Sequence, residues 1–137
     1  MSVAPKQWTV KIISPAAGPL EVLREGLRLP KEIGPGRTTP VDLLLASIGT
    51  CFALSCQAAL TARALERVAF EVSVTGHKAP EPPSRLAYIG LEVDFDARLP
   101  PADARAVTAS AEELCTVTNT LMSQLPCAIR VGIPSFP

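Results

Sequence analysis

The chain has little aromatic character, almost no histidine and no excess of charge of either sign. Its thirteen basic and thirteen acidic residues cancel, which removes the clustered positive field that neutralising nucleic-acid phosphates requires. Aromatic residues make up only 4% of a sequence that is 47% hydrophobic, so a core has to come from Ala, Val, Leu and Ile through many small contacts. His77 is the one histidine and no Cys-x-x-Cys pair occurs, leaving no metal-ligand spacing. GxGxxG, P-loop and Ser/His/Asp constellations are missing as well. The first ten residues, MSVAPKQWTV, lack an apolar run of signal-peptide length, and a cytoplasmic location is expected. Without repeats, low-complexity tracts or linkers, the 137 residues read as a single domain, 1–137, long enough to bury a core without disulfide staples.

What the chain does have is a long apolar stretch, TTPVDLLLASIGTCFALSCQAALTARALER, from Thr38 to Arg67. Thr38 or Thr39 can cap a helix with Pro40 at its first position, and Asp42 in the first turn suits the helix dipole. The helix is predicted to run to about Arg67. It is uncharged from Leu43 to Ala62, the length of a bilayer span. Ser47, Gly49, Thr50, Ser55, Gln57 and Thr61, with no flanking anchors, argue instead for a buried central helix wrapped by sheet.

Around it lie alternating segments. Gln7–Ile13 places Trp8, Val10 and Ile12 on one face. Leu20–Leu29 reads as two short strands about Glu25-Gly26. The Pro/Gly-rich 30–40 segment is a loop carrying Arg37. Val68–Lys78 and Arg85–Ala97 form a second hairpin, with Ala87, Ile89, Leu91, Val93 and Phe95 on the core face. Pro101 opens a second helix ending near Cys115, a short third helix is predicted from about Thr118, and Cys127–Ile133 reads as a last strand. Runs of strands separated by helices define an α+β fold.

The four cysteines are Cys51, Cys56, Cys115 and Cys127. In a reducing compartment they are free, catalytic or metal-binding rather than stapled. Cys51 sits mid-helix among apolar neighbours, where a thiol is normally a small core hydrophobe. Cys56, five residues on, points about 140° away from Cys51 around the helix and reads as core. Cys127 has no motif around it. Cys115 is followed by a polar Thr-Val-Thr-Asn-Thr stretch.

TPVDLLLASIGTCFA followed by LCTVTNTL, at this separation, resembles the OsmC/Ohr family of thiol-dependent hydroperoxide reductases over nearly the whole chain. The resemblance implies an OsmC-like fold of antiparallel sheets around a long central helix, in an interlocked homodimer with two interface active sites. It implies that Cys51 is the peroxidatic cysteine, attacking an organic hydroperoxide, and that Cys115 resolves the sulfenic acid to a disulfide. An external dithiol of lipoyl type would reduce that disulfide, without metal or organic cofactor. The family holds an activating arginine with a glutamate directly after the helix-opening proline. That position is Val41 here, so Asp42 is the nearest carboxylate, and the first hairpin turn, SPAAGP, contains no arginine. Arg37 is the first choice for the activating cation, with Arg24 and Arg28 as alternatives from either subunit. An OsmC-fold dimer that binds a small molecule, or acts as a thiol redox switch without efficient turnover, is the competing expectation.

Overall fold

The computed structural model describes residues 6–29, 32–123 and 125–129. Its elements are β1 (Gln7–Ser14), β2 (Glu21–Arg24), β3 (Leu27–Arg28), α1 (Pro40–Thr61), β4 (Phe70–Lys78), β5 (Leu86–Phe95), α2 (Pro101–Leu114) and α3 (Thr116–Met122). The two predicted hairpins join through β1 and β4 into one antiparallel sheet of order β3-β2-β1-β4-β5. The α+β class holds. Of the predicted last strand, 127–129 is irregular and 130–133 lies outside the described residues.

Period-two alternation sets the inner face of the sheet. Val10, Ile12, Val72 and Val74 are wholly buried, while Lys11 and Glu71 pair on the outer face at 3.6 Å. Glu25 and Gly26 both take positive φ, 53° and 78°, the turn geometry that matches strand twist in a two-residue hairpin. On β5 the register slips by one residue between His77 and Lys78. That irregularity leaves Ala87 exposed and turns Leu86 inward against the backbone of Gly76. Ala87 therefore falls off the predicted core face; Ile89, Leu91, Val93 and Phe95 stay on it, half-buried on an edge strand.

Thr39 starts α1 with a capping box. Its hydroxyl accepts from the Asp42 N–H at 3.1 Å, and its own N–H donates to Asp42 Oδ2 at 2.8 Å, which satisfies two of the helix's orphan donors. The helix ends at Thr61 rather than near Arg67. Ala64 is left-handed, with φ 58°, and the Leu65 N–H returns to the Leu60 carbonyl at 2.9 Å while the Ala64 N–H meets that of Thr61 at 3.0 Å. This is a Schellman closure, usually made by glycine, so the sequence carries no signal for it.

One face of α1 is buried on the sheet and α2. Asp42, Leu45, Ile48, Gly49, Phe52, Ala53, Cys56 and Leu60 lie there. Gly49 makes the closest approach: a Cβ at that position would stand 2.7 Å from Ile12 Cγ1 and 2.9 Å from Val74 Cγ2. The sheet does not wrap the helix. Leu43, Leu44 and Leu54 remain exposed on the opposite side, because a single sheet can cover only one stripe of a helix.

Candidate active site

Asp42 is completely buried in the first turn of α1, next to the loop. Its Oδ2 accepts from the Thr39 N–H, the Thr39 hydroxyl at 3.0 Å and Arg24 Nη1 at 2.9 Å. The same Arg24 Nη1 donates to the Arg37 carbonyl at 2.8 Å. One guanidinium thus ties β2, the loop and the start of α1 together. The arginine that meets the helix-start carboxylate is Arg24. Arg37 reaches this cluster through its backbone oxygen alone, its guanidinium pairing with the exposed Glu32. Arg28 pairs with Glu21 at 3.5 Å on the surface. Residue types name these three arginines but do not show which one meets Asp42, because that depends on how the four-residue β2 presents its side chains to α1.

Cys51 lies on the other side of the helix. Nine residues from Asp42, it is about 13 Å along the axis and about half a turn round. It is half-buried and packs on the edge of the core. Its neighbours on the outward stripe are Leu44, Ser47, Leu54 and Ala58, all exposed. Within one chain, therefore, the Arg24–Asp42 pair and Cys51 occupy opposite faces of α1.

Cys115 is the joint between α2 and α3 and is fully buried. Its N–H donates to the Ala111 carbonyl at 2.9 Å, and its own carbonyl accepts from the Asn119 N–H at 3.1 Å and the Thr118 hydroxyl at 3.2 Å. Asn119 Nδ2 also closes the Glu113 carbonyl at 3.1 Å. The polar run after Cys115 serves this function, satisfying carbonyls where one helix stops and the next begins. Cys51, Cys56 and Cys115 border the same apolar cluster. Burial pushes the Cys56 thiol up to about 12, and nearby Cys115 adds to the shift, since a second thiolate close by is disfavoured. Sequence reasoning placed Cys56 in the core but did not place it beside Cys115. Cys127 is exposed. Among the described residues no group of three His, Cys, Asp or Glu could hold a metal.

A family model for OsmC-like proteins matches residues 33–130, from the loop through α1 and Cys115. The chain belongs to the OsmC-like protein family. Its fold is similar to that of an OsmC-like hydroperoxide resistance protein from Jannaschia sp. CCS1, at 16% identity and TM-score 0.62, over 95% of this chain and 96% of that one. It is also similar to an organic hydroperoxide resistance protein OsmC from Legionella pneumophila, at 21% identity and TM-score 0.51, over 88% and 90%. No curated protein matches the chain. Asp42 is both the capping-box acid of α1 and the holder of an arginine.

Proposed function

We propose that this OsmC-like protein is a cytoplasmic thiol peroxidase that reduces organic hydroperoxides. The observation that carries the reading is the position of Cys51, half-buried on an outward apolar stripe of α1 while bordering the cluster that holds Cys115. The Cys51 thiolate attacks the outer peroxide oxygen, the O–O bond breaks, and the departing alkoxide takes a proton from water to leave as the alcohol. Cys51 becomes a sulfenic acid. The Cys115 thiol then displaces water to form the Cys51–Cys115 disulfide, which an external dithiol of lipoyl type reduces by exchange. The exposed leucines beside Cys51 favour substrates with an apolar tail over hydrogen peroxide.

Such a thiolate requires a cation, and the acid-held arginine of this chain faces away from its own Cys51. In our reading a second copy of the chain completes the site, so that Arg24 of one copy, set by Asp42, serves the Cys51 of the other. The test is peroxide consumption with an alkyl hydroperoxide and a dithiol. Turnover should vanish in Cys51→Ser and fall steeply in Arg24→Ala; a wild-type protein that consumes no peroxide would sink the proposal. If Arg24→Ala turns over normally and Arg37→Ala does not, the activating role passes to Arg37.

The separation of Arg24 from Cys51 within one chain favours a second reading, a binding protein or redox switch on the same fold. It expects Cys51 to alkylate slowly at neutral pH, equally so in the wild type and Arg24→Ala, and a disulfide to form without sustained turnover.

A further inference from the structure

At Cys115 the backbone turns out of the helix with ψ 97°, far from the helical value, so a single bond sets the angle at which α3 leaves α2. Most hydrogen bonds at this joint lie on one side of that bond. The Cys115 N–H stays with the Ala111 carbonyl of α2, while the Asn119 N–H and the Thr118 hydroxyl hold the Cys115 carbonyl from within α3. None of these resists a swing of α3. Among the described residues one hydrogen bond crosses the joint, from Asn119 Nδ2 to the Glu113 carbonyl at 3.1 Å.

Packing adds little to that bond. None of the 7 residues of α3 is buried, Val117 alone of them packs against the apolar cluster, and Leu121 and Met122 are 51% and 82% exposed. Cavities of about 300 and 720 Å³ flank the helix, both reaching Thr118 and Met122. So short a helix is not stable alone, and segments with few buried contacts are the first to open. Yet Cys115, at its root, is wholly buried. Opening α3 takes Val117 away from the cluster that encloses this thiol.

We propose that Asn119 is a positioning residue that latches α3 over Cys115, so that thiols from outside meet Cys51 and not Cys115. The importance of that choice rests on the proposed cycle, in which an external dithiol reduces the Cys51–Cys115 disulfide. With α3 closed, one thiolate of the dithiol attacks Cys51 Sγ, the S–S bond breaks, and Cys115 takes up the electron pair and a proton. The mixed disulfide sits on Cys51. The second thiol of the reductant, losing its proton, attacks the first, which releases the Cys51 thiolate and the oxidised cyclic dithiol.

Alkylation of the reduced protein by iodoacetamide, with no peroxide present, tests the latch apart from the cycle, and peptide mass mapping gives the labelling rate of each cysteine. Asn119→Asp keeps the shape and loses the donor; Asn119→Ala loses it without adding charge. In both, Cys115 should label about fivefold faster than in the wild type, the shift that one lost hydrogen bond gives an opening equilibrium, with Cys51 unchanged. Cys56, wholly buried on α1, reports global loosening and should not follow. In a second arm the disulfide is formed with diamide, reacted with 2-mercaptoethanol and quenched in acid. The mixed disulfide should lie on Cys51 in the wild type and be shared with Cys115 in the variants. Unchanged Cys115 labelling in either variant, Cys56 rising in step with Cys115, or a wild-type mixed disulfide on Cys115 would overturn the proposal. A protein that labels as expected but consumes no peroxide sinks the cycle alone.

Discussion

Replacing Arg24 by alanine tests the central electrostatic feature of this fold. The carboxylate of Asp42 is 0% exposed and the side chain of Arg24 25% exposed. Deleting one member of a buried ion pair commonly costs about 3–5 kcal/mol, because the other charge stays behind uncompensated. Here the loss should be smaller. The Thr39 N–H and hydroxyl continue to donate to Oδ2, the positive end of α1 remains, and Arg24 itself touches solvent, which together reduce the figure to about 2–3 kcal/mol. Urea melts of the wild type, Arg24→Ala, Asp42→Asn and the double variant, at one protein concentration, give the cycle. A coupling of about 1.5 kcal/mol or more is expected between residues in direct contact. Arg28→Ala and Arg37→Ala remove exposed partners, with side chains 83% and 58% accessible, and should each shift stability by no more than about 0.5 kcal/mol. If Arg24→Ala lies as close to the wild type as those controls, or if the cycle is additive, the pair does not hold the loop and sheet to α1.

Three further outcomes follow from packing and protonation. Gly49→Ala should destabilise by about 1–3 kcal/mol in urea melts, since the new methyl meets Ile12 and Val74 under 3.0 Å and one or both must shift. Ala64→Gly should raise stability by about 1 kcal/mol, because alanine is strained at φ 58° and glycine is not. Cys56 stays a thiol to about pH 12 in the fold but ionises near its ordinary 9.0 when unfolded. Its contribution is therefore complete below pH 9 and falls as the pH rises toward 12, by about 1.4 kcal/mol per unit; Cys56→Ala should flatten that alkaline decline.

The elements were legible wherever periodicity and end signals agreed. β1 alternates strictly, and α1 announces its start with Thr39, Pro40 and Asp42. The end of α1 was not legible, because Ala64 does the work of a glycine and nothing local marks it. Nor was the phase change on β5, which depends on one unpaired residue, Ala87, opposite His77 and Lys78. At the site, the identity of the helix-start acid and its candidate cations could be read from residue types. Which cation faces Asp42 could not, since that depends on how a four-residue strand is rotated against the helix. The pairing of Cys56 with Cys115 escaped for a similar reason: it is set by the crossing of α1 and α2, and no sequence spacing encodes that crossing.

Gly49 lies two residues before Cys51, and only a hydrogen atom fits between its Cα and the side chains of Ile12 and Val74. A roll of α1 by one residue in either direction would bring the side chain of Ile48 or Thr50 into that gap. The helix is therefore keyed to the sheet at a single angular setting, and the bearing of the Cys51 sulfur is fixed by a neighbour that has no side chain. Engineering the direction of this thiol would begin at position 49, by reshaping what the helix rests on, and would leave the cysteine itself untouched.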